Sequence, residues 1–168
     1  RGRQNGLPQL WSIDTHMKMN NWKQIKFADE VYSVYTRNNV DYKTNTLRYV
    51  YTSAVTPSQT IDYDMKTGNA TVLKEQDVPG YDASQYECRR VFATARDGTK
   101  VPMSLVAKKG TMPDADATAA ASFDKGPRKT LLIGYGSYGM SYDVTFNFKL
   151  ISLLERGFIC ATAHIRGG

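Results

Sequence analysis

The chain has 168 residues, 41% of them hydrophobic and 23% charged, a balance that excludes a disordered or membrane-embedded polypeptide. No apolar run reaches the roughly 20 residues that span a bilayer, so no membrane association is expected, and Arg1-Gly2-Arg3-Gln4-Asn5 lacks the apolar core of a signal peptide. The net charge of +6 comes from scattered Lys and Arg, paired only at Arg89-Arg90, Lys108-Lys109 and Arg128-Lys129, so nucleic acid is not expected as a partner.

The first half reads as antiparallel β. Residues 10–14 and 22–25 form two candidate strands. Residues 31–36 (VYSVYT) are β-branched and aromatic and stop at Asn38-Asn39, and residues 47–52 (LRYVYT) alternate in the same way. Residues 60–64 and 70–74 flank Met65-Lys66-Thr67-Gly68-Asn69, where Gly68 can take positive φ and close a tight hairpin. Four strands within about 45 residues match one blade of a β-propeller, with the upstream pair as outer strands of the preceding blade. A piece of β-sandwich is the rival reading of that pattern.

Residues 77–82 break the pattern. Pro79 removes a donor and Gly80 permits a turn, so a domain junction is expected between 1–77 and 78–168. Residues 87–95 and 101–108 then read as a hairpin, with Asp97-Gly98 as a two-residue turn signal. Residues 109–129 read as an exposed connection, with one helical turn possible at 115–121. Residues 130–133 (TLLI) are expected to be a strand buried on both faces. Phe146, Leu150, Leu153 and Leu154 fall at helical spacing over 146–156, with Gly157 as C-cap, and residues 158–163 form a second buried strand. This is a βαβ unit, whose functional loops lie at the carboxyl ends of its strands, here 134–143 and 164–168. Cys88 and Cys160 read as reduced core thiols, and neither shares a metal-ligand spacing with His16 or His164, so no metal is expected.

Three motifs carry a resemblance. Gly134-Tyr135-Gly136-Ser137-Tyr138-Gly139, then Arg156-Gly157-Phe158, then His164-Ile165-Arg166-Gly167-Gly168 resemble the prolyl oligopeptidase family of serine peptidases, in the form of its oligopeptidase B branch. Asp97-Gly98 before Val101-Pro102-Met103-Ser104-Leu105 resembles the opening of that family's catalytic domain, and residues 49–75 resemble its last propeller blades. The resemblance implies a propeller that admits only short peptides and an α/β-hydrolase domain with a Ser-Asp-His triad. The expected fold is therefore mixed: C-terminal propeller blades, then the N-terminal part of an incomplete α/β-hydrolase domain.

The nucleophile elbow G-x-S-x-G is not in the sequence. Ser137 has its second flanking glycine one position late, and His164 is read as a loop residue without triad partners. With neither end resembling a chain terminus, these residues are expected to be an internal piece, inactive and poorly folded alone. The resemblance assigns Tyr135 as a phenolic donor to the oxyanion, a role whose loss typically costs about 2.7–4 kcal/mol. It assigns Tyr138 to the substrate pocket and Asp143 to basic substrate side chains. Thr145 stands where a second acidic residue is expected, which leaves a second basic preference open. Arg166 organises its loop. Without the resemblance, Tyr135 reads as a packing residue and Arg166 as half of a structural ion pair.

The implied activity is cleavage of short peptides after Arg or Lys, without cofactor, in the cytoplasm, with the oligomeric state open. Two other classes stay in play: a non-enzymatic β-rich interaction module, and a piece of an α/β-hydrolase esterase.

Overall fold

The computed structural model describes residues 1–13, 22–113 and 127–167. His16, the 115–121 stretch and Gly168 lie outside them. The chain divides into two compact units: residues 1–79 with 143–146, and residues 80–142 with 147–168.

The first unit holds two antiparallel sheets. One has the order β1-β2-β3, from β1 (Gly2–Gln4), β2 (Leu7–Ile13) and β3 (Trp22–Ile25). The other is a meander of β4 (Tyr32–Thr36), β5 (Thr46–Ser53), β6 (Gln59–Asp64) and β7 (Ala70–Glu75). Side chains alternate across a strand, so Tyr49 and Tyr51 of β5 face one side with Ile61 and Tyr63 of β6. They meet Leu10 and Ile25 of the first sheet in one core with Tyr32 and Val34.

Aromatic rings dominate that core. Phe27 stacks on Tyr51 at 5.4 Å and meets Tyr49 edge-on at 5.8 Å. A buried phenol needs a partner for its hydroxyl, and Tyr51 donates to Asp29 Oδ2 at 2.6 Å, which also accepts from Thr56 Oγ1 at 2.9 Å. Burial decays outward along the meander: Val34 of β4 is fully buried, whereas every residue of β7 is exposed.

The second unit is a mixed sheet of order β10-β11-β9-β8. Its strands are β8 (Tyr86–Thr94), β9 (Lys100–Lys108), β10 (Thr130–Gly134) and β11 (Ile159–Ala163). β10 and β11 are parallel, joined through α1 (Ile151–Glu155), and the other pairs are antiparallel. The β8–β9 turn is a three-residue loop rather than the two-residue one expected. Ala95 O accepts from Gly98 N at 2.9 Å and Gly98 sits at φ 82°, which makes it the left-handed residue after a tight turn.

The crossover helix is shorter than its apolar spacing predicts. A 3-10 turn over Phe148–Leu150 precedes α1, and Asn147 caps it by accepting from Lys149 N at 3.1 Å. Phe146 lies outside it, because Asn147 is extended at φ −134° and ψ 99°, and the Phe146 N–H is bonded instead to Thr52 Oγ1 at 3.1 Å. The helix ends as expected: Gly157 N bonds Leu154 O and Phe158 N bonds Leu153 O, with Gly157 at φ 76°. β10 also departs from expectation. Its Thr130 and Leu132 face is uncovered, with Leu132 64% exposed, while Leu131 and Ile133 on the opposite face are half covered; β10 is also an edge strand among the described residues.

Glu155 ties α1 to the hairpin, accepting from Tyr86 OH at 2.8 Å and Lys108 Nζ at 2.6 Å. Burial first, and the Glu155 carboxylate second, push the Tyr86 phenol up to about 12. Cys88 and Cys160 pair with Val106 from opposite sides. Two strand spacings separate them by about 9.5 Å, beyond the ~7 Å reach of a disulfide. Neither forms a disulfide. No helix among the described residues is long and apolar enough to cross a membrane.

The two-sheet core gives the first prediction. Leu10→Ala, at a side chain 2% exposed, is expected to destabilise the full-length protein by ~2–5 kcal/mol in urea unfolding. Leu73→Ala on exposed β7 should change it by ~0.5 kcal/mol or less. Equal effects would mean that the two sheets do not share a core.

Candidate active site

Parallel strands bring their carboxyl ends to one edge, so the loops after β10 and β11 emerge side by side. They are joined by backbone. Gly139 N donates to Gly167 O at 3.0 Å. A Cβ built on Gly136 would overlap Arg166 O and lie 2.8 Å from Ile165 Cγ1, and one built on Gly167 would overlap Gly136 O. Only glycine fits at either place.

The tip of the first loop is a turn in which Met140 N donates to Ser137 O at 3.0 Å. Both of its central residues are left-handed, Tyr138 at φ 57° and Gly139 at φ 66°, as in a type I′ turn. A tyrosine there is a local strain. It projects the Tyr138 side chain, which is 92% exposed, while Tyr135 at the loop's start is 41% exposed. Ser137 is exposed.

The second loop is anchored to the β8–β9 hairpin. His164 N donates to Pro102 O at 2.9 Å. His164 Nε2 lies 2.9 Å from Arg90 Nη1 and 2.8 Å from Ser104 Oγ, and Arg90 Nη1 donates to Ser104 Oγ at 2.6 Å. A guanidinium can only donate, so Nε2 is an acceptor and the ring proton sits on Nδ1. The Ser104–His164 pair has the spacing of a serine–histidine dyad, but Ser104 is 3% exposed and no substrate carbonyl reaches it. Its work is to hold the loop. Farther along, Arg166 Nη1 pairs with Asp97 Oδ2 at 2.6 Å. That hydrogen bond first, then the Thr99 N–H, lower the Asp97 carboxyl to about 2.

Tyr135, Tyr138 and Arg166 thus lie on the two joined loops of the second unit. Asp143 belongs to the first unit, where Arg3 grips it with both nitrogens, Nη1 to Oδ1 at 2.6 Å and Nη2 to Oδ2 at 2.9 Å. Sequence reasoning missed Arg3, Arg90 and Ser104. Ser104 had a signal: it is a polar residue at an inward position of an alternating strand. Arg3 had none, because 140 residues separate it from its partner. No group of three or more His, Cys, Asp or Glu able to hold a metal occurs among the described residues.

Comparison with known proteins places this geometry. Residues 1–76 match the N-terminal β-propeller domain of prolyl oligopeptidase. The chain is 44% identical over 145 residues to dipeptidyl aminopeptidase BI of Pseudoxanthomonas mexicana, covering 86% of this chain and 18% of that protein. It is 35% identical over 168 residues to Protease 2 of Moraxella lacunata, covering 99% and 22%. Oligopeptidase B from Trypanosoma brucei, solved in a closed form with covalently bound antipain, superposes with a TM-score of 0.81 at 34% identity, over 99% of this chain and 23% of that one. The chain belongs to the prolyl oligopeptidase family, with oligopeptidase B-like sequence and structure. It spans 18–23% of the length of these relatives.

The Asp97 carboxyl gives a second prediction. A carboxyl held below its unfolded value of ~3.9 contributes stability that is complete above that value and lost as pH falls toward 2. Both side chains are exposed, so the contribution is small. The local reading is sharper: carboxyl ¹³C titration should find a midpoint near 2 for Asp97, moved up toward ~4 by Arg166→Gln. An unmoved midpoint would assign the effect to the Thr99 N–H instead.

Proposed function

We propose that this chain is part of an oligopeptidase B-like serine peptidase that cleaves short peptides after Arg or Lys by acyl transfer. The observation that carries the reading is the half-exposed Tyr135 on a glycine loop that is tied to the His164-Ile165-Arg166-Gly167 loop beside it. Residues 1–77 are propeller, and residues 78–168 open the α/β-hydrolase domain. The β10–α1–β11 crossover supports the second assignment, since it is the repeating unit of a parallel α/β sheet. The triad's Ser, Asp and His come from sequence other than these residues, because no G-x-S-x-G occurs in them. Serine attacks the scissile carbonyl, histidine carries the proton, and aspartate holds the histidine. Tyr135 donates its phenolic O–H to the developing oxyanion, Tyr138 lines the substrate pocket, Asp143 receives a basic side chain, and Arg166 orders its loop. Such acyl transfer requires no metal or organic cofactor.

In the full-length protein, Tyr135→Phe is expected to lower kcat on an N-blocked arginyl-amide fluorogenic substrate by about 10²–10³ with KM nearly unchanged. Unchanged kcat would make Tyr135 a packing residue. No arginyl activity at all would remove the peptidase specificity. A second reading, release of N-terminal dipeptides, is favoured by the 44% identity to dipeptidyl aminopeptidase BI. Cleavage of a free-amine dipeptidyl amide with no cleavage of the blocked substrate would select it.

Arg3 bears on the basic preference. A substrate guanidinium or ammonium at Asp143 has to displace the bidentate Arg3. Arg3→Gln is therefore expected to lower KM about tenfold for a substrate with two adjacent basic residues, the worth of roughly one charge-assisted hydrogen bond. A single-arginine substrate should change little, and Asp143→Asn should erase the difference. Parallel changes for both substrates would mark the pair as a structural tether.

A further inference from the structure

We propose that the 164–167 loop, through Gly136, Gly167 and the Arg166–Asp97 pair, is the device that positions the Tyr135 hydroxyl for catalysis. The inference rests on the proposed oxyanion role of Tyr135.

An oxyanion donor acts only when held near its reacting geometry, and a displacement of ~1 Å can cost about a hundredfold in rate. Gly134 ends β10 in register with Ala163 of β11, so strand pairing holds the chain as far as that residue; beyond it the Tyr135 side chain is half-exposed, and packing around the ring does not supply that order. On the far side of Tyr135 the order comes from what Gly136 rests on. Gly136 rests on Arg166 O and the Ile165 side chain, and Gly167 in turn rests on Gly136 O. One hydrogen bond, Gly139 N to Gly167 O, closes the far end of the same contact. The tyrosine loop is therefore seated backbone on backbone, where no rotamer change can absorb a shift.

The seat is itself fixed. His164 N is bonded to Pro102 O, its Nε2 to Arg90 and Ser104, and Arg166 to Asp97 in the β8–β9 turn. The chain of contacts runs from a paired hairpin, through four residues, to the residue after Tyr135. Each link is short, and each is polar or sterically closed. Asp97, Ser104 and Arg90 are positioning residues in this scheme: none of them touches substrate, and each acts on Tyr135 through the 164–167 loop.

The two glycines that flank Tyr135 provide an internal control. A Cβ at Gly134 would find only ordinary contacts, Ala163 O and Ile165 Cδ1 both at 3.9 Å, whereas one at Gly136 collides with backbone. A methyl at Gly134 leaves the seat intact, and a methyl at Gly136 lifts the loop off it.

The test is a double-mutant cycle in the full-length protein on the arginyl-amide substrate. Gly136→Ala should lower kcat by about ten- to a hundredfold with KM within about twofold, while Gly134→Ala keeps kcat. Tyr135→Phe combined with Gly136→Ala should be no slower than Tyr135→Phe alone, because both remove the same donor. Full kcat in Gly136→Ala, or losses that multiply in the double variant, overturns the inference while leaving the role of Tyr135 intact. If Tyr135→Phe alone has no effect, both the oxyanion reading and this inference fall. Should Gly136→Ala not fold, Asp97→Asn replaces it. A fall in kcat that disappears in the Tyr135→Phe background supports the positioning role, and no fall or a multiplying one overturns it.

Discussion

Strand β9 is paired on both edges, to β8 and to β11, and nearly everything in the second unit hangs from it. Its alternate residues Ser104, Val106 and Lys108 share one face. In register across β8 they meet Arg90, Cys88 and Tyr86. The three rows do different jobs. Arg90 and Ser104 hold His164 at one end, Val106 lies between Cys88 and Cys160 in the middle, and Tyr86 with Lys108 holds Glu155 of α1 at the other. One face of one strand therefore fixes both the crossover helix and the loop on which the candidate site is seated. Its polar ends and apolar middle follow from that division. Groups that locate other elements need directional bonds, and the middle needs only burial.

The first unit solves a different problem. A four-stranded meander has two faces, and its innermost strands cannot leave either to water. On one face Tyr49, Tyr51, Ile61 and Tyr63 are closed by Leu10 and Ile25 of the neighbouring sheet. On the other, Val50 is fully buried and its face-mate Thr52 accepts from the Phe146 N–H. That bond brings a segment distant in sequence onto the sheet, which is why residues 143–146 cluster with the first unit. In the same segment Asp143 pairs with Arg3 of β1.

Much of this was legible in the residues. β-Branched and aromatic alternation located β4 through β6, because such side chains suit a half-buried pleat. Gly157 marked the end of α1, and the glycine-rich stretches marked the ends of β10 and β11. The errors share one cause. The helix was read too long from Phe146, and β10 was read as doubly buried from an apolar run. In each case the surroundings in the fold decided the outcome: Thr52 takes the Phe146 N–H, and β10 lies at the edge of its sheet among the described residues with Leu132 uncovered. The Arg3–Asp143 and Arg90–His164 contacts, at separations of 140 and 74 residues, were invisible for the same reason. Local periodicity reports how a segment prefers to bury itself, not which remote group will claim its last donor or carboxylate.

A run of glycine around a tyrosine suggests freedom, and freedom is what a preorganised donor cannot tolerate. In the folded unit Gly136 and Gly167 do not supply flexibility. They remove the side chains that would keep two backbones apart, and the loop gains order from the contact. Gly134, whose Cβ would make only ordinary contacts with Ala163 O and Ile165 Cδ1 at 3.9 Å, is not under the same constraint. Identical residues two positions apart thus carry different physical demands. The demand at Gly136 links Tyr135 to a hairpin that begins some 50 residues earlier in the chain, so in this scheme the tyrosine is held from one side by the pairing of β10 with β11 and from the other by the loop that the β8–β9 hairpin anchors.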